Sequence, residues 1–126
     1  MNTDMDKLVV LVDDDHSLQR ALLRLLVVSG YRAHAFDSAE ALLAAEGVSG
    51  AACLLLDVQL QGVSGPDLYM LLGTRLGAQR PPVVFMTGDE SAATLEAVRR
   101  CGGQELLHKP FPSDILFAAI ARAIHP

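Results

Sequence analysis

Apolar residues follow two periods along this chain. Short continuous apolar runs alternate with longer stretches in which apolar side chains recur at helical spacing. The runs Leu8-Val9-Val10-Leu11-Val12, Ala51-Ala52-Cys53-Leu54-Leu55-Leu56, Val83-Val84-Phe85-Met86 and Leu106-Leu107-His108 read as strands, and Tyr31 to Phe36 as another short one. Leu18, Leu22, Leu25 and Leu26 mark a first helix, with Gln19, Arg20 and Arg24 between them and Ser29-Gly30 at its end. Asp37-Ser38-Ala39-Glu40 has the form of a capping box, Asp37 as N-cap and Glu40 at N3, opening a helix through Glu46. Ser64-Gly65-Pro66 opens a third helix, whose buried face is Leu68, Leu71 and Leu72. A fourth spans Ala92 to Cys101 and stops at Gly102-Gly103. Pro112-Ser113 caps a fifth, with an apolar face from Ile115, Leu116, Ala119, Ile120 and Ala123. Strands alternating with helices predict an α/β fold with a parallel sheet.

Composition narrows the picture. A chain of 126 residues, 51% hydrophobic, fits one domain with a real core. The formal charge of −5 argues against direct binding to nucleic acid or to an anionic membrane surface. No apolar run approaches the roughly 18 residues of a membrane span, and the polar start Met1-Asn2-Thr3-Asp4-Met5-Asp6 lacks the apolar core of a signal peptide. Cys53 and Cys101 have no paired spacing and read as core thiols.

The ends of the runs carry the chemistry. The first meets Asp13-Asp14-Asp15, the third strand meets Asp57, the fourth Thr87-Gly88 and the fifth Lys109-Pro110. In a parallel sheet these ends share one edge, where ligands bind. Carboxylates about 4 Å apart repel by roughly 4 kcal/mol at an effective dielectric near 20, so such a cluster needs a cation or raised pKa values. Hard oxygen ligands point to Mg²⁺. Taken singly, the aspartates also read as a turn that caps a helix, Thr87 as a turn residue and Lys109 as a surface lysine. Asp15 reads as a solvent-facing addition and His16 as a solvated loop residue.

Taken together, these residues resemble the receiver domain of two-component response regulators, over about Lys7 to Ile124, with a weaker likeness to FixJ-type receivers in Thr-Gly and Lys-Pro-Phe. The resemblance implies a doubly wound, flavodoxin-like fold with five parallel strands in the order 2-1-3-4-5 and one receiver domain over residues 1–126. It implies that Asp57 is the phosphoacceptor, taking its phosphoryl group from a sensor histidine kinase or phosphotransfer protein. Mg²⁺ would sit on Asp14 and Asp57, on Asp13 through water, and on the backbone carbonyl of Gln59. Thr87, the small Gly88 and Lys109 would bind the phosphoryl oxygens, Lys109 aimed by a cis bond to Pro110. The output would be the surface of helix four, strand five and helix five, carrying Arg99, Arg100, Leu106, Ile115 and Arg122. An effector domain or a second copy would dock there. The compartment implied is the bacterial cytoplasm, and catalysis extends only to the domain's own phosphorylation and dephosphorylation.

The chain departs from that family at two places. Gln61 stands where a proline is common, followed by Gly62, which predicts a more mobile loop after Asp57. Leu106 stands where many receivers have an inward-turning aromatic, which puts the output mechanism in question. On the same resemblance, Gln59 and Asp89 would flank the approach of water to an acyl phosphate. Two other readings compete: a receiver-fold interaction module that signals without phosphate, and a small Mg²⁺-dependent phosphatase. The phosphatase would need a second acid two residues after its nucleophile, and Asp57-Val58-Gln59 lacks one. The chain ends at His125-Pro126 just after the fifth helix, which leaves open a single-domain regulator or part of a longer protein.

Overall fold

The apolar runs pair into a parallel sheet because helices cover both of its faces, so the central strands need no polar side. A computed structural model describes residues 4–126, and residues 1–3, the start of the polar N-terminal segment, lie outside the described residues. The strands are β1 (Leu8–Val12), β2 (Arg32–Phe36), β3 (Cys53–Asp57), β4 (Val83–Thr87) and β5 (Glu105–His108). They are all parallel and lie in the order β2-β1-β3-β4-β5, as expected. Every residue of β3 and β4 is buried, which is why those two runs are continuously apolar.

The helices are α1 (His16–Val28), α2 (Ala39–Ala44), α3 (Gly65–Leu76), α4 (Ala92–Arg100) and α5 (Ser113–Ile124). Side chains of α1 and α5 share one core with Val9, Leu11, Leu55, Val84 and Met86. Those of α2, α3 and α4 share the other with Val10, Val12, Leu54, Leu56 and Phe85. Burying each large aliphatic side chain contributes roughly 1.5–3 kcal/mol, so these two layers hold the sheet edge in place.

Several local expectations change. Ser38, not Asp37, is the N-cap of α2: its extended backbone lets its hydroxyl accept the Ala41 N–H at 3.1 Å. This register puts Glu40 at N2, so the capping box does not form. The helix also stops at Ala44 rather than Glu46, because Ala45 is extended and Gly47, with φ 82°, turns the chain so that Val48 enters the core. Pro112, with no side-chain hydrogen bond, is the N-cap of α5, and Ser113 is its first residue. Leu25, Leu71 and Ile115 are exposed; the buried faces are instead Gln19, Leu22 and Leu26 on α1, Leu68, Tyr69 and Leu72 on α3, and Leu116, Ala119 and Ile120 on α5. His16 lies in the first turn of α1, not in a loop.

Cys53 and Cys101 are buried on opposite sides of the sheet, as core thiols. Burial pushes the Cys53 thiol up to about 12 and raises that of Cys101. Since the thiolate is the reactive form, iodoacetamide at neutral pH should modify neither in the time that labels the urea-unfolded chain completely. Labelling of the native protein at the unfolded rate would contradict this packing.

Candidate functional site

The strand register assembles the site. Val12 lies beside Leu56, Asp57 beside Met86 and Thr87 beside His108. Asp13, Asp57, Thr87 and Lys109 therefore emerge at one sheet edge, on both sides of the point where strand order reverses between β1 and β3. Backbone bonds carry the register past the strands: Val58 N–H reaches Met86 O at 2.8 Å, and Lys109 N–H reaches Thr87 O at 2.8 Å. The Lys109-Pro110 bond is cis, as expected.

Asp13, Asp14 and Asp57 each offer a carboxylate oxygen, all within 4.8 Å of one another. Asp13 and Asp57 are buried and Asp14 is exposed. The Lys109 ammonium joins the buried pair, donating to Asp13 Oδ2 at 3.0 Å and to Asp57 Oδ2 at 2.9 Å. The other oxygens accept backbone N–H groups, Asp13 Oδ1 from Asp15 at 2.9 Å and Asp57 Oδ1 from Gln59 at 3.0 Å. Burial pushes the Asp57 carboxyl up; Lys109 draws it down and Asp13 pushes it up again, leaving it above the usual carboxylate range. Burial opposes the charge on Lys109, but its bonds to Asp57 and Asp13 outweigh that and raise it. With all four groups charged, the single ammonium leaves three carboxylates short of neutrality by two charges. An all-oxygen set with that deficit fits a hard divalent cation.

Asp15 is exposed, and its carboxylate caps α1 through the N–H groups of Ser17 and Leu18, at 3.0 and 3.2 Å. His16 lies 3.4 Å from Asp37, on the surface. The Thr87 hydroxyl is fully buried and in place beside Asp57's strand. It lies 2.9 Å from Gln59 Oε1 and 2.8 Å from Asp89 O, and it accepts the Asp89 N–H at 2.9 Å. The Asp89 carboxylate then accepts from Ser91 N at 2.9 Å and from Thr94 Oγ1 at 3.2 Å, tying this loop to the start of α4. A Cβ at Gly88 would meet nothing within 4 Å, so the strand-four end is open on that side. Gly65 is the opposite: a Cβ there would run into the Asp57 carbonyl oxygen and lie 3.0 Å from its carbon.

Leu106 packs partly buried against the core that holds Phe85 and Val98. On the neighbouring helices, Arg99 and Arg100 of α4 are exposed and paired with Glu96, Ile115 of α5 is exposed, and Arg122 of α5 pairs with Glu105 at 2.8 Å.

Gln19 is the site residue that sequence reasoning placed wrongly, as a polar spacer. It is buried, and the two hydrogens of its Nε2 are shared among Asp13 O at 3.1 Å, Phe36 O at 3.3 Å and Asp37 Oδ1 at 3.0 Å, bracing the acidic turn. Its signal was its spacing: three residues before Leu22 and seven before Leu26, on the core face.

The sequence profile of the response regulator receiver domain matches residues 9–121. The chain is 33% identical over 117 residues to the C4-dicarboxylate transport transcriptional regulatory protein DctR of Rhodobacter capsulatus, covering 90% of this chain and 59% of that protein. It is 31% identical over 118 residues to the transcriptional regulatory protein FixJ of Bradyrhizobium diazoefficiens, covering 92% of this chain and 56% of that protein. Full-length FixJ from B. japonicum superimposes with a TM-score of 0.81 at 28% identity, over 95% of this chain and 58% of that one. The chain thus spans little more than half the length of these relatives. Nearly all of it, from the first strand to the last helix, is accounted for by one family: the chain belongs to the response regulator receiver domains of two-component signalling.

Proposed function

We propose that this domain, over residues 1–126, is a phosphorylation-dependent switch whose phosphoacceptor is Asp57. The observation that carries the reading is the Asp57 carboxylate itself: buried at the sheet edge, bonded to Lys109 at 2.9 Å and clustered with Asp13 and Asp14. An Asp57 oxygen attacks the phosphorus of a phosphohistidine on a sensor histidine kinase or phosphotransfer protein. The P–O bond forms as the P–N bond breaks, and the electron pair leaves with the imidazole nitrogen. Asp13, Asp14, Asp57 and the backbone carbonyl of Gln59 would hold Mg²⁺, which offsets the charge of the phosphoryl oxygens. Lys109 follows the phosphoryl group with its ammonium. The Thr87 hydroxyl turns from its resting partners to a phosphoryl oxygen, and the Gly88 N–H adds to the cradle.

The Thr87 movement releases Asp89, and through Ser91 and Thr94 it reaches α4 and the surface of α4, β5 and α5. An effector domain or a second copy reads that surface, and the setting is the bacterial cytoplasm. Leu106 has no ring to swing, so coupling falls at the low end of about 1–3 kcal/mol. Thr87→Ala should weaken phosphodonor-driven dimerisation or partner binding, measured by sedimentation, and Leu106→Tyr should strengthen or alter it. A wild-type response in Thr87→Ala would remove this route.

Incubation with Mg²⁺ and a small phosphodonor, followed by intact mass, tests the switch. One phosphoryl group per chain, labile to hydroxylamine, is expected. No modification favours an interaction module, and sustained multiple turnover favours a phosphatase.

Mg²⁺ should also raise the melting temperature, by about 2.7 kcal/mol of stability at a hundredfold excess over its dissociation constant. Asp14→Ala should remove most of that gain. Asp15→Ala should keep it while lowering the baseline by about 1 kcal/mol, the value of a helix cap. A Mg²⁺ effect lost with Asp15 and kept without Asp14 would contradict the assignment.

A further inference from the structure

The Thr87 hydroxyl has one proton, and at rest two acceptors compete for it, Gln59 Oε1 at 2.9 Å and the Asp89 carbonyl at 2.8 Å. Its own oxygen accepts the Asp89 N–H at 2.9 Å. Thr87 is fully buried at the end of β4 and Gln59 is exposed in the loop after β3, so a solvent-side amide reaches inward to the buried hydroxyl. The same residue is strapped to the phosphoacceptor, because Gln59 N–H donates to Asp57 Oδ1 at 3.0 Å.

We infer that the Gln59 side chain is a resting-state latch: its amide oxygen occupies the Thr87 hydroxyl that a phosphoryl oxygen on Asp57 must capture. This rests on Asp57 as phosphoacceptor and goes beyond it, since the metal role proposed for Gln59 involves only its backbone carbonyl. The Asp89 partners are main-chain atoms two residues from Thr87, so they require no particular side chain at position 59. The Gln59 bond is the part that this chain's own side chain adds. When the hydroxyl turns away, the exposed amide finds water, but the bond between them is lost, and that loss opposes the active state. Gln59 is thus a positioning residue that acts through Thr87.

Beryllofluoride with Mg²⁺ is the probe, because its fluorides stand where phosphoryl oxygens would and it does not hydrolyse. A role of Gln59 in admitting water is therefore absent from the readout. Calorimetric titration would compare wild type, Gln59→Met, Thr87→Ala and the double variant; position 59 is exposed, so folding is not at stake. Gln59→Met should bind the probe more tightly than wild type, by at most about tenfold, the upper limit set by one ordinary hydrogen bond, since the Asp89 carbonyl still competes for the proton. In the Thr87→Ala background the same substitution should change nothing. No gain in the single variant, or an equal gain in both backgrounds, overturns the latch. Wild type failing to bind the probe at all removes the phosphoacceptor reading, and the latch with it.

Discussion

Asp57→Asn should take up no phosphoryl group from a small phosphodonor and Mg²⁺ in the time that saturates the wild type, while the domain stays folded. The amide keeps the shape of the side chain but has no anionic oxygen to attack phosphorus. Lys109 keeps Asp13, 3.0 Å away, so the ammonium is not stranded. In metal-free buffer the variant should also melt at a higher temperature at pH 7. Burial and Asp13 hold the Asp57 carboxyl above its ordinary value of 3.8 despite Lys109. A carboxyl raised in the folded state favours folding at pH below its unfolded value, and that contribution is lost as pH rises through the folded value. Wild type therefore bears the cost at neutral pH and the variant does not. The gap should narrow as pH falls toward 3.8, because the folded wild type takes up its proton above that value. Melting curves at both pH values, with chelator present, check this; a less stable variant at pH 7 would mean that Lys109 outweighs burial.

Gly65→Ala should lower stability by about 3 kcal/mol, at the upper end of overpacking costs, and should slow phosphorylation as well. The added methyl meets the backbone of Asp57 and lies 3.1 Å from the Val58 Cα. Backbone atoms cannot turn aside as a side-chain tip can, so the chain must move. What moves is the phosphoacceptor, because Gly65 N–H also holds Val58 O at 2.9 Å. Gly50→Ala, where the methyl meets nothing within 4 Å, is the control and should change stability by less than about 0.5 kcal/mol. Urea titration of the two variants separates the outcomes. Equal effects would mean that the contact at Gly65 is relieved without cost.

The strands and the position of the candidate site were legible in the sequence for one physical reason. A strand buried on both faces must be a continuous apolar run, and in a parallel sheet its polar end must fall at the ligand edge. Asp57 after Leu54-Leu55-Leu56 and Thr87 after Val83-Val84-Phe85-Met86 are cases of that rule. Helix rotation was harder to read. Leu25, Leu71 and Ile115 sit on surface positions that tolerate an apolar residue at little cost, whereas Gln19 is buried because Asp13 O, Phe36 O and Asp37 Oδ1 supply acceptors for its amide. Nor could spacing separate Asp37 from Ser38 as the cap of α2, since both side chains can cap and the backbone of the preceding turn decides. The bond between Gln59 and Thr87 joins the loop after β3 to the last residue of β4, and only the β3–β4 register brings them together.

Peptide mapping of the phosphorylated wild type tests the central claim most directly. Borohydride reduces an aspartyl acyl phosphate to homoserine, releasing phosphate and marking the modified position. After treatment with Mg²⁺ and a small phosphodonor, homoserine is expected at position 57 alone, with Asp13, Asp14 and Asp15 intact. Homoserine at one of those three positions, or at none, would contradict Asp57 as the phosphoacceptor.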